Sequence, residues 1–275
     1  MFYSQHSGPR HPLYSRGQMI VLTVVVSLII VSSGVLFYSA VTYQMATNAA
    51  TSQANASAIA YATTVAQEEA SATAIASTLH NPYPPYTGSI ALYDPLIGND
   101  LGHSWDIASQ GANNTCQFAG KTYLSSNANT AKDLYRGTVC YAENTDFSDF
   151  TIQVQTILEQ GLCGGIVFRG NSKTNNFDRF VICSNAWYDF RQCNGNYCDV
   201  VLANGLFSAI NTKAGAINTL AVVASNTDIT LYVNHKQIIT ASDSGFSEGQ
   251  IGLVTSGYNG TRTVATFRNV MVWTM

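Results

Sequence analysis

The rhythm of apolar and polar positions changes twice along this chain. From Met19 to Ala40 ("MIVLTVVVSLIIVSSGVLFYSA") there is no rhythm at all: 22 residues without a charge. At 1.5 Å per residue that run is long enough for one helix across a hydrocarbon core of about 30 Å. From Val41 to His80 the pattern turns to small residues, with 13 alanines in 40 positions, many Thr and Ser, and no Gly or Pro. Beyond residue 89 the period is two. "FTIQVQTILEQG" (150–161), "TLAVVAS" (219–225), "DITLYVN" (228–234) and "TVATFRNVMVW" (263–273) alternate apolar with polar, and Gly, Asn, Asp and Ser punctuate the runs.

These rhythms predict four segments. Residues 1–18 form a short polar tail expected to be cytoplasmic and disordered, and 19–40 form a transmembrane helix. Residues 41–88 form a partly helical spacer that ends in the Pro-rich "NPYPPYTG". Residues 89–275 form an all-β domain. The spacer keeps no steady heptad, so no coiled coil is expected. The β region is too long for an immunoglobulin-like domain of about 100 residues; a two-sheet antiparallel jelly-roll sandwich fits better.

Charge gives the chain a direction. Arg10 and Arg16 precede the apolar run, and the next charges after it are Glu68 and Glu69. Positive residues stay inside, so the N-terminus is expected in the cytoplasm and the β domain outside the cell, with the bilayer as a partner. The competing reading is a cleaved signal peptide, whose apolar core of about 7–15 residues is shorter than this run. Charged residues make up 11% of the chain and net charge is −3, with no basic stripe, which argues against nucleic acid as a partner.

All six cysteines follow the apolar run, an even count that reads as disulfides in an oxidising compartment. If Cys163 pairs with Cys183, Val167 faces Arg179, Phe168 faces Asp178 and Ile166 faces Phe180. Ile166, Phe168, Phe180 and Ile182 then share one apolar face, and Val167, Arg169, Arg179 and Val181 share the other. Cys193 and Cys198 bracket the turn sequence "NGNY" and pair across the next hairpin. Cys116 and Cys140 pair by elimination, one outcome among the 15 that six cysteines allow. "CNGNYC" lacks zinc spacing and has no histidine beside it, so no metal is expected there.

"SWDI", "FSDFTIQVQ", "GGIVFRG", "DITLYVNHKQI", "GQIGLV" and "FRNVMVW" follow one another in that order. This series resembles the concanavalin A-like sandwiches, in particular the bacterial 3-keto-disaccharide hydrolase and glycoside hydrolase 16-like domains tethered to a membrane by an Ala/Thr-rich stalk. The resemblance implies a curved jelly roll whose concave face meets carbohydrate.

The chemistry around that expectation is sparse. A retaining glycosidase needs two carboxylates about 5 Å apart, and this chain has no Glu-x-Asp-x-x-Glu motif; Glu143, Glu159 and Glu248 lie far apart in sequence. Binding of glycan is therefore preferred to catalysis, with a hydrolase or lyase acting on keto-glycosides or disaccharides as the alternative and a structural or adhesive surface module as the next. Arg169 and Arg179 are the candidate hydrogen-bonding residues. Trp187 and Tyr188, with Tyr197 nearby, are the candidate stacking surfaces. His103 and Trp105 read as edge packing. No cofactor fingerprint appears; Glu143, Asp146 and Asp149 place three oxygens in one loop, the only calcium-like grouping.

Overall fold

The computed structural model describes residues 16–99, 103–110, 114–128, 137–195, 197–257 and 261–275. The tail expected to be disordered lies outside them, apart from residues 16–18. The chain divides into two compact units, residues 1–63 and 64–275.

A helix, α1, runs from Arg16 to Thr78. Its apolar stretch from Met19 to Ala40 exposes every side chain, up to the rings of Phe37 and Tyr38. A cylinder of exposed Val, Leu and Ile suits hydrocarbon rather than water. The hydroxyls within it donate to their own helix: Thr23 to the Met19 carbonyl, Ser27 to that of Thr23 and Ser33 to that of Ile29, at 2.7–2.8 Å. These hydroxyls therefore have partners without water.

The spacer is partly helical, as expected: α1 continues through Thr78, and residues 79–88 are not helical. Alanine loses no side-chain entropy in a helix, and the spacer's Thr and Ser bond back to carbonyls three or four residues earlier, as Thr51 does to Thr47 and Ser57 to Gln53. Pro82, Pro84 and Pro85 then prevent the helix from continuing.

Among the described residues fifteen strands follow: β1 (Ser89–Asp94), β2 (Ala108–Gln110), β3 (Asn114–Phe118), β4 (Tyr123–Asn127), β5 (Gly137–Tyr141), β6 (Phe150–Gln160), β7 (Cys163–Asn171), β8 (Asn176–Cys183), β9 (Trp187–Asn194), β10 (Tyr197–Leu206), β11 (Ile217–Ser225), β12 (Asp228–Val233), β13 (Lys236–Ser242), β14 (Gln250–Ser256) and β15 (Thr263–Thr274). Every named pair is antiparallel. One sheet has six strands, ordered β10-β9-β8-β7-β14-β5. The other has nine, ordered β13-β12-β11-β6-β15-β4-β3-β2, with β1 on the far half of β15.

The core lies between the sheets. Ile166, Phe168, Phe180, Ile182 and Phe190 from the six-stranded sheet meet Phe150, Ile152, Leu220, Val222, Phe267 and Val272 from the nine-stranded one. Cys116 of β3 and Cys140 of β5 form a disulfide that joins the two sheets. Cys163–Cys183 ties β7 to β8, and Cys193–Cys198 ties β9 to β10.

The folded body begins before Ser89. Tyr83 is 1% exposed and packs on the outer face of the nine-stranded sheet with Ala221, Val223 and Tyr232. Its hydroxyl donates to Gln153 at 2.8 Å. Asn81 donates to Thr151 at 3.0 Å. Burial pushes the pKa of the Tyr83 hydroxyl far up, so it keeps its proton and stays a donor at any working pH. The Pro-rich stretch is a strap seated on the sheet, not a free linker.

Candidate functional site

The β7–β8 hairpin has the register that alternation predicts: Cys163 opposite Cys183, Ile166 opposite Phe180, Val167 opposite Arg179 and Phe168 opposite Asp178. Past Phe168 the pairing slips. Asn171 faces Asn176, so β7 carries one extra residue there, and Arg169 sits in the left-handed region at φ 48°. That is a β-bulge, and it re-aims a side chain. Arg169 leaves the outer face and donates to the carbonyls of Asn226 and Ser148, near the nine-stranded sheet, at 2.5 and 3.5 Å. The shared face expected for Arg169 and Arg179 does not form.

Arg179 stays on the outer face of the six-stranded sheet. The next strand explains how a charged residue is held there with 1% exposure. In β9, "WYDFRQC" alternates, so Trp187, Asp189, Arg191 and Cys193 point outward while Tyr188 and Phe190 point into the core. Arg179 lies directly opposite Arg191 across β8 and β9. Two like charges so placed repel. Asp189, on the same face, relieves this: its carboxylate accepts from Arg179 Nη2 at 2.6 Å and from Arg191 Nε at 2.8 Å. Arg191 also donates to the Cys198 carbonyl at 3.1 Å.

Around this triad the surface encloses a cavity of about 240 Å³. Arg179, Asp189 and Arg191 line it together with Trp187, Asn204 and Ser256, beside the Cys163–Cys183 disulfide. Trp187 is 37% exposed and lines the cavity, so this residue is partly open to a ligand. The arrangement offers an aromatic platform beside fixed hydrogen-bonding groups, a combination suited to orienting a small polar ring.

Of the four candidate residues, the cavity brings together Arg179 and Trp187. Tyr188 is buried in the core and Tyr197 is exposed but lines no part of the cavity. Asp189, Arg191, Asn204 and Ser256 were missed. The signal for the first two was the alternation of β9, continued one residue past its aromatics.

The other candidates have structural partners. Trp105 is in the core and donates from Nε1 to Asp94 at 2.8 Å. Burial pushes the Asp94 carboxyl up, opposed by hydrogen bonds from the Leu96 backbone, Trp105 and the His103 backbone. The His103 ring meets the Glu143 carbonyl. Asp149 accepts the Asn226 backbone N–H at 2.6 Å. Among the described residues, no three His, Cys, Asp or Glu side chains converge to hold a metal ion.

No family model matches the chain, and no curated protein does. Solved structures match in shape. A Bacillus subtilis protein of unknown function with a galectin-like fold superposes with a TM-score of 0.51 at 14% identity, over 68% of this chain and 96% of that one. A Clostridium perfringens endo-β-galactosidase that releases GlcNAcα1-4Gal gives 0.50 at 10% identity, over 71% and 65%. The carbohydrate-binding module CBM66 of Bacillus subtilis gives 0.46 at 19% identity, over 63% and 92%. At these identities the likeness is one of fold, and the β domain is a two-sheet antiparallel jelly-roll sandwich.

Proposed function

We propose that the domain binds a glycan outside the cell, in the cavity on the outer face of the six-stranded sheet, and that α1 anchors it in the membrane with the N-terminus inside. The observation that carries the reading is the partly open Trp187 beside the Arg179–Asp189–Arg191 triad. A pyranose face stacks on the indole, and its hydroxyls exchange hydrogen bonds with the triad, Asn204 and Ser256. The triad's hydrogen bonds hold its groups in place before the ligand arrives, which lowers the entropic cost of binding. A solved structure of similar fold is an endo-β-galactosidase, which agrees with this reading. Disulfides and the charge asymmetry about α1 support the outward orientation.

Binding is favoured over hydrolysis by the same geometry. Asp189 is the carboxylate among the described lining residues, and both arginines already bond to it. A glycosidase needs a second carboxyl group at working distance. The test is a glycan array probed with the full chain in a polyoxyethylene detergent, which carries no sugar headgroup. The reading predicts discrete hits that weaken for Trp187→Ala; an array without hits refutes it.

A protein-binding role has one observation in its favour. Edge strand β10 exposes Tyr197, Val200, Val201 and Leu206 in a row. Pull-down with Val200→Lys/Leu206→Lys against wild type tests that role separately.

A further inference from the structure

Asp178 of β8 points into the sandwich with no exposed surface, and neither of its carboxyl oxygens has a hydrogen-bond partner of the ordinary donor–acceptor kind. Its counterpart is Asp243, just past β13 of the opposite sheet, 3% exposed, with Oδ2 likewise without a donor. Asp243 Oδ1 accepts the Gly245 backbone N–H at 2.9 Å. The two side chains meet. Two carboxylates hydrogen-bond each other only when one of them keeps a proton.

The charges around the pair set how many protons it holds. The charged groups acting on Asp178 are Asp243 from the nine-stranded sheet and Arg169 from the bulge of β7. Arg169 is 2% exposed, and its Nε and Nη1 have no partner while Nη2 serves two carbonyls. With one proton on the acid pair, the buried cluster is neutral. With none it carries a buried negative charge, and with two a buried positive one. Burying a net charge is costly, so the singly protonated form is the stable one.

We propose that Asp178 and Asp243 share one proton across the two sheets, forming a clasp that closes this end of the sandwich and loosens when alkali removes the proton. Burial is the main cause that pushes the Asp178 carboxyl up to about 9, Asp243 adds to it, and Arg169 opposes it. The sign follows. Between about pH 4 and pH 9 the folded domain holds a proton that the unfolded chain releases. Stability contributed by this group therefore falls as pH rises through that window, by about tenfold in the unfolding constant per pH unit.

The experiment is urea unfolding of the full chain in detergent from pH 5 to pH 9, for wild type, Asp178→Asn and Asp243→Asn. An amide at 178 donates to Asp243 without a titrating proton. The advantage of Asp178→Asn over wild type should grow by roughly tenfold per pH unit, and Asp243→Asn should also flatten the wild-type slope. Parallel pH profiles overturn the proposal. So does stabilisation of wild type by added calcium or sodium at fixed pH that Asp178→Asn abolishes, because a cation would then fill the place of the proton. If a variant fails to fold, infrared spectroscopy of wild type decides: a protonated-carboxyl stretch at neutral pH, lost on unfolding, is expected, and its absence refutes the clasp.

Discussion

Replacing Tyr83 tests whether the Pro-rich strap belongs to the folded domain. The phenol is 1% exposed, lies 4.8 Å from the Tyr232 ring and 5.7 Å from that of His235, and donates to Gln153. Truncating a buried aromatic to Ala costs about 3–5 kcal/mol, and stranding the Gln153 oxygen adds to that. Tyr83→Phe keeps the ring and removes only the hydrogen bond, for about 1–2 kcal/mol. In a domain of this size 1 kcal/mol shifts the melting temperature by about 2–4 °C. Tyr83→Ala should thus melt roughly 10–15 °C below wild type, and Tyr83→Phe a few degrees below. Thermal and urea unfolding followed by tryptophan fluorescence report on this, because all three tryptophans lie in the β domain. If Tyr83→Ala unfolds with wild-type stability, the strap contributes nothing and the domain begins at Ser89.

Other expectations follow from the same packing. Replacing both Cys116 and Cys140 by Ala opens a loop of sequence separation 24 between the sheets; in the chain-entropy model this costs about 3.5 kcal/mol, measured by urea unfolding. Gly165 faces Val181 across β7 and β8, and a Cβ there would lie 2.1 Å from the Phe180 carbonyl oxygen. Gly165→Ala should therefore disrupt the hairpin, and unchanged stability would contradict the pairing.

Much of the architecture could be read from period-two alternation, because each strand buries one face and a one-residue slip would expose it. The β7–β8 register was legible for a further reason: the pairing that joins the cysteines also sorts the apolar residues. What escaped was local or distant. Arg169 was misplaced because a bulge changes the face of one residue while leaving the strand's pattern intact. Tyr188 was assigned to the ligand with Trp187, yet adjacent strand residues point to opposite sides. Asp189 and Arg191 needed the pairing of β8 with β9, which no cysteine fixes. Cys116–Cys140 was legible as a pair but not as a link between sheets. Tyr83 hides in a proline-rich stretch whose composition signals only a helix stop, while its docking surface lies some 70 or more residues downstream.

The most direct test of the central claim is a fluorescence or calorimetric titration with the best oligosaccharide from the array, comparing wild type with Trp187→Ala. Losing an aromatic stacking contact is worth about 0.5–1.5 kcal/mol, so affinity should fall roughly two- to tenfold while the unfolding curve stays in place. Equal affinity for the two proteins would show that glycan, if bound at all, binds elsewhere than the cavity of the six-stranded sheet.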